Sequence, residues 1–220
     1  MYCRSMKKKK QEMPVKEMRA EMDSDCFLLK YEYAIRQVEK ALKEITKRQE
    51  AEGVHRSIAF ITSRIKTAES TVDKLKRKGR PVNVKAAEKY LNDIAGVCAV
   101  CCYQEDVYAV AHELETWGKL EVIKKKDFIR KPKASGYRSL HLIAQMVTGL
   151  GGEGDRVRIE IQIRTVAMDA WARLDHELRY KKGLKDVDHI YHDLHNCAEA
   201  IAAVDNEMQV IRKKIRNAKS

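Results

Sequence analysis

The sequence predicts an α/β (α+β) fold in which a mixed β-sheet is flanked by helices, with helical extensions at the N- and C-terminal ends. Three observations carry that expectation. Arg158-Ile159-Glu160-Ile161-Gln162-Ile163-Arg164-Thr165 alternates strictly, so Ile159, Ile161 and Ile163 share one face while Glu160, Gln162 and Arg164 share the other. That is the period of a strand with one buried side, and its second face carries a carboxylate, an amide and a guanidinium in a row. Val97-Cys98-Ala99-Val100-Cys101-Cys102-Tyr103 is an unbroken apolar run, the mark of a central strand covered on both faces. The patterns then follow in the order helices, strand–helix–strand–strand–strand–helix, helix. Short connections between the last three strands favour antiparallel pairing within a mixed sheet.

Bulk properties narrow the class. A chain of 220 residues suits one domain with appendages. A formal net charge of +12 favours polyanionic partners such as nucleotides, RNA or an acidic surface; solubility plus a basic tail is the alternative. No apolar run is long enough to span a membrane, and Met1 to Lys10 is too polar for a secretory signal. The six cysteines are irregularly spaced, which does not resemble a disulfide framework and fits a reducing cytoplasm.

Taken in order, residues 1–25 are charged and methionine-rich without a clear period and read as a basic, disordered arm. A core over residues 26–183 follows. Tyr31, Ile35, Val38, Leu42 and Ile45 form the apolar stripe of a helix over Cys26 to Ala51, ended by Gly53. Ser57 to Lys78 reads as a second helix, on which Lys66, Ser70 and Lys74 stack four apart. Stacked cations without carboxylate partners point to an anion between them, with a solvated basic helix as the alternative. Gly79-Arg80-Pro81 breaks the chain, and Val84 to Leu91 is a short helix. Asp93 then sits at the start of the central strand, where a carboxylate reaches a cleft. A strand splays Cys98, Cys101 and Cys102 onto opposite faces, which argues against a metal site. Gln104 to Trp117 is a helix opened by Glu105 and Asp106 and stopped by Gly118.

Leu120 to Ile129 reads as a strand interrupted by Lys124-Lys125-Lys126-Asp127. Tyr137 to Val147 is another strand, with Tyr137, Ser139 and His141 on one face. The glycine-rich loop Gly149 to Gly154 lacks a following helix and a Gly-Lys-Ser/Thr sequence, so it is not read as a phosphate cradle. Thr165 caps a helix over Val166 to Lys181, with Met168, Trp171, Leu174 and Leu178 as its core stripe, His176 beside them and Gly183 at its end. In residues 184–220, Val187, Ile190, Leu194, Cys197, Ile201, Val204, Met208, Ile211 and Ile215 alternate steps of three and four. That heptad seam packs on the domain or, preferably, on a partner subunit. His189, His192 and His195 read as surface residues.

Two carboxylates, Asp93 and Glu160, thus begin or lie on strands. Arg64, Lys66, Ser70 and Lys74 precede them, and Lys124, Lys126, Lys133, Tyr137, Arg138 and His141 come between. Two acids among cations suit Mg²⁺-dependent chemistry on phosphates. The acids hold a hard cation through oxygen, the cations neutralise charge as a phosphoryl group transfers, and Tyr137 offers a flat face to a base.

The runs Asp93-Ile94-Ala95-Gly96, Lys133-Ala134-Ser135-Gly136-Tyr137-Arg138-Ser139-Leu140-His141 and Glu160-Ile161-Gln162-Ile163-Arg164-Thr165 resemble the synthetase domain of RelA/SpoT homologues. Ala167-Met168-Asp169-Ala170-Trp171-Ala172 through His176 and Tyr180-Lys181 continues the likeness. With no hydrolase domain in this sequence, the resemblance is to the small alarmone synthetases. It implies a nucleotidyltransferase-like fold and Mg²⁺-dependent transfer of pyrophosphate from ATP to the 3′-hydroxyl of GDP or GTP, giving ppGpp or pppGpp. It implies that Asp93 and Glu160 hold Mg²⁺ and that Glu160 is general base. It further implies an ATP site of Arg64, Lys66, Ser70, Lys74 and Lys126, and a guanine-nucleotide site of Lys133, Tyr137, His141, Gln162 and Asp169. Relatives usually carry an arginine that packs on adenine where this chain has Cys98, which implies altered ATP binding unless another side chain substitutes. The resemblance also implies a homotetramer, with alarmone or single-stranded RNA as possible regulators. Two other readings stay open: a toxin that pyrophosphorylates the tRNA 3′ end, and an RNA-binding relative with a weakened site.

Overall fold

The computed structural model describes residues 15–52, 55–150, 155–180 and 187–218. Five strands form one sheet in the order β1-β2-β5-β4-β3: β1 Ile58–Ile65, β2 Ala95–Cys101, β3 Glu121–Asp127, β4 Leu140–Val147 and β5 Arg156–Thr165. The β2–β5 pair is parallel; β1–β2, β4–β5 and β3–β4 are antiparallel. The mixed sheet flanked by helices is therefore as expected, and the alternating stretch is its central strand. Ile159, Ile161 and Ile163 are fully buried, on the side covered by α2 (Asp25–Ala51) and α5 (Gln104–Thr116). Helix α2 buries Tyr31, Ile35, Val38, Leu42 and Ile45, the stripe its spacing predicts. Apolar burial on this side, at about 25 cal/mol per Å² of surface removed from water, holds α2 and α5 against the sheet, while the opposite face carries Glu160, Gln162 and Arg164.

Several expectations are corrected. Residues 57–78 are not one helix: β1 is followed by a turn and by α3 (Ala68–Arg77). Ile58-Ala59-Phe60-Ile61-Thr62-Ser63-Arg64-Ile65 is rich in β-branched residues, and the Thr67 hydroxyl accepts from the Ser70 backbone N–H as the helix cap. The Lys124–Asp127 segment does not interrupt β3; the strand runs through it with a register shift between Val122 and Lys124. Residues 15–22 form a helix, α1, whose Met18 and Met22 join the core, so the arm is structured there. Residues 1–14 lie outside the described residues, as do Gly53, Gly151 to Gly154, Lys181 and Gly183.

Helix α4 spans Val84–Tyr90, capped by Asn83. Helix α6 spans Val166–Tyr180, and the Thr165 hydroxyl accepts from the Met168 N–H as expected. Met168 and Trp171 are buried and Leu178 packs on the cluster of Trp171, Leu194 and Ala198, so of the predicted core stripe Leu174, 52% exposed, is the departure; His176 is exposed. Helix α7 (Val187–Asn217) docks through Leu194, Ala198, Asp205 and Gln209. Its end is clamped by Arg212, which donates to Asp106 at 2.9 Å and lies over the Tyr103 ring. The heptad seam divides: Leu194 faces the domain, while Val204, Met208, Ile211 and Ile215 are exposed. No helix among the described residues is long and apolar enough to cross a membrane.

Candidate active site

Side-chain alternation assigns the free face of the sheet. From the pairing registers, Arg64, Gly96, Glu160, Ile143 and Lys124 lie in one row across it. Thr62, Cys98, Gln162, His141 and Lys126 form the next, and Phe60, Val100 and Arg164 a third. Of the resemblance-implied residues, Arg64, Lys126, His141, Glu160 and Gln162 therefore share one face of the sheet, with one qualification. Lys126 is on the far edge strand, beside His141 and four strand spacings, about 19 Å, from β1. It is thus separated from Arg64, Lys66, Ser70 and Lys74, a fact set by strand order and not visible in spacing.

At one end stands Asp93, in the turn before β2. Its Oδ2 accepts from Lys74 Nζ at 2.7 Å and from Lys66 Nζ at 3.1 Å. Its Oδ1 is buried and has no hydrogen-bond partner among the described residues. Burial disfavours the charged carboxylate, but the two ammonium groups overcome this and hold its pKa below the ordinary value. Glu160 behaves alike. Burial raises its pKa, yet the His141 imidazole, the Gln162 amide at 2.9 Å and the Lys74 charge together hold it down at about 2. Lys74 thus acts on both acids. The turn after β1 and the first turns of α3 bring Lys66 and Lys74 to Asp93, while the exposed Ser70 bonds Thr67 at the start of α3.

The other end is aromatic. Tyr137 hydroxyl and His141 Nε2 are 2.9 Å apart, and His141 Nδ1 lies 3.4 Å from Glu160 Oε1. Phe128, Tyr137 and His141 pack mutually and Trp171 joins them through Tyr137, with ring centroids 5.2–6.4 Å apart. Lys133 Nζ sits 4.5 Å from the centre of the Tyr137 ring. Burial pushes the Tyr137 phenol up, so it stays a neutral hydrogen-bonding group.

Asp169 does not present a free carboxylate. It is buried, accepts from Arg173 Nε at 2.6 Å, and lies 3.7 Å from Arg164 Nη1. Arg164 in turn bonds Gln162. These two arginines are absent from the predicted site. Arg164 was legible as the third polar residue on the working face of β5, and Arg173 as the cation four residues after Asp169 on α6. Cys98 lies under this group. Burial raises its thiol pKa, with Arg164 and Arg173 pulling the other way.

Two acids fit a divalent cation of the magnesium type. Asp93 offers an open buried oxygen and Glu160 an ionised one, and among the described residues no three His, Cys, Asp or Glu converge. A hard cation that keeps waters and takes further oxygens from substrate phosphates matches so spare a donor set.

A mixed five-stranded sheet with one ionised carboxylate on its central strand and another in the turn before β2, flanked by lysines on one side and aromatic rings on the other, defines an α+β protein with a polar, ring-edged face. The family described as the region found in RelA / SpoT proteins matches residues 63–185, and the chain belongs to it. GTP pyrophosphokinase YwaC of Bacillus subtilis (strain 168) is 37% identical over 188 residues, 86% of this chain and 90% of that protein. The structure of small alarmone synthetase 1 from Bacillus subtilis bound to its product pppGpp has a TM-score of 0.79 at 34% identity, covering 86% of this chain and 96% of that one. The same enzyme bound to AMPCPP has a TM-score of 0.71 at 30% identity, covering 87% and 97%.

Proposed function

We propose that this protein is a (p)ppGpp synthetase, transferring the β,γ-pyrophosphate of ATP to the 3′-hydroxyl of GDP or GTP. The observation that carries the reading is the convergence of Lys66 and Lys74 on the buried Asp93, beside Glu160. The likeness to GTP pyrophosphokinases over most of the chain supports it.

The lysines and Arg64 neutralise the donor triphosphate, since a charge-rich, partly dehydrated site stabilises charge spread over transferring phosphoryl oxygens. Asp93 and Glu160 would hold a Mg²⁺ ion, which would supply further charge neutralisation at those oxygens. Lys66 and Lys74 release Asp93 as they turn to phosphate. On the aromatic side, Tyr137 supports the guanine base, with Lys133 moving from the ring to the phosphates. His141 orients Glu160 through the 3.4 Å contact. A carboxylate held at about 2 is a weak base. It accepts a hydrogen bond from the acceptor hydroxyl, and gains basicity as His141 turns toward substrate.

The exposed seam of α7 supports assembly with further copies of this chain, a homotetramer by resemblance, in a cytoplasmic enzyme. The test is incubation with Mg²⁺, labelled ATP and, separately, GDP, GTP and bulk tRNA. Label in a guanosine 3′-pyrophosphate is expected. Label on tRNA alone would move the protein to the tRNA-modifying reading, and no transfer to any acceptor would contradict the enzyme reading.

A further inference from the structure

Phe60 is one of the large apolar side chains left open to solvent, 39% exposed, and it stands on the working face of β1. The Arg173 guanidinium lies 5.9 Å from its ring centre. Arg173 comes from α6, on the far side of β2, and is held there through Nε by Asp169 at 2.6 Å. Asp169 is itself buried and anchored near Arg164. A mostly exposed arginine side chain tethered at one nitrogen to a buried carboxylate keeps its planar face and two terminal nitrogens available.

On the same face, four residues along β1 from Phe60, stands Arg64, whose stem crosses Gly96: a Cβ there would lie 3.8 Å from Arg64 Cγ. The interval between Phe60 and Arg64 spans about 13 Å of strand. Its floor is the cross-strand pair Thr62 and Cys98, both small. The result is a slot with a guanidinium at each end, a low floor, and the Lys66–Lys74–Asp93 cluster beyond Arg64. A nucleotide whose triphosphate lies on those lysines has its base within reach of this slot. Flat purines are well held by guanidinium faces, which stack on π-systems more readily than ammonium groups do.

We infer that Arg173, steadied by Asp169 and backed by Phe60, stacks on the purine base of the nucleoside triphosphate donor and sets the preference for ATP over pyrimidine donors. The inference rests on the pyrophosphate-transfer reading for which nucleotide is the donor. Asp169 is then a positioning residue: it fixes a guanidinium and does not touch substrate.

The experiment measures binding of α,β-methylene-ATP and α,β-methylene-UTP by titration calorimetry, with turnover on ATP and GDP in parallel. Loss of one arginine–π contact lowers affinity by roughly 3- to 30-fold. Arg173→Ala should therefore raise Kd for the ATP analogue and KM for ATP by about that factor, leave KM for GDP within twofold, and narrow the ATP/UTP ratio. Arg173→Lys should fall between, and Phe60→Ala should have a smaller effect in the same direction. An unchanged Kd for the ATP analogue in Arg173→Ala, or an equal rise in KM for both substrates, would overturn the inference while leaving the synthetase reading intact. Arg173-dependent purine preference without transfer to any acceptor would uphold the inference and remove the synthetase reading. Absence of analogue binding to the wild-type protein would remove both.

Discussion

The two ends of the working face are held by different physics. The β1–β2 end is organised by charge: two lysines share one oxygen of Asp93, and two arginines share Asp169. The β4–β3 end is organised by rings, with Tyr137, His141 and Phe128 packed edge to face and Trp171 tilted against Tyr137. Glu160, on the strand between them, is bonded from both sides, by His141 and by the field of Lys74. Under the proposed function the difference assigns each end its task. An end of cations stores its charge on internal carboxylates until a phosphate chain replaces them, whereas an end of packed rings offers a preformed surface to a flat base.

Breaking the charged end should cost most. Asp93→Asn removes the shared acceptor of Lys66 and Lys74 and should lower kcat by roughly 10²–10⁴-fold, by analogy with loss of a positioned acid–base or electrostatic group. Steady-state transfer to GDP, with circular dichroism as a folding control, checks this. Lys74→Ala should cost about 10²–10³-fold, because one charge acts on both acids. It should also move the Glu160 pKa upward, readable by carboxyl carbon NMR.

Breaking the aromatic end should act mainly on affinity. Tyr137→Ala should raise the KM for GDP by roughly 5- to 150-fold, the range for loss of one base-stacking ring, with KM for ATP little changed. Equal effects on both substrates would dissolve the distinction between the two ends.

The smallest effect concerns pH. Glu160 has a folded pKa of about 2 against an ordinary 4.5, so the unfolded chain binds its proton more readily. The resulting stabilisation is complete above about 4.5 and is lost as pH falls through about 2. Denaturant midpoints measured between pH 5 and 2 should fall less steeply for Glu160→Gln than for the wild type.

Much of this arrangement was legible beforehand. Strict alternation over residues 158–165 locates β5 and puts Glu160, Gln162 and Arg164 together, since side-chain period two is a local property. The α2 stripe is equally local. What failed depended on tertiary context. Residues 57–65 mix polar and apolar types because β1 is an edge strand with one open face, so their pattern resembled a polar helix. Lys126 was grouped with the ATP residues because strand order cannot be read from spacing. Asp169 reads as a free acceptor until its two arginine partners are placed. Phe60 carries no motif; only its exposure beside Arg173 singles it out.

The most direct test of the account compares wild-type protein with Glu160→Gln, measuring binding of α,β-methylene-ATP and GDP alongside pyrophosphate transfer in Mg²⁺. Both nucleotides should still bind within a few-fold while transfer to the guanosine 3′-hydroxyl falls by roughly 10²–10⁴-fold. Transfer by Glu160→Gln within tenfold of wild type would contradict the claim that the central strand carries the reaction.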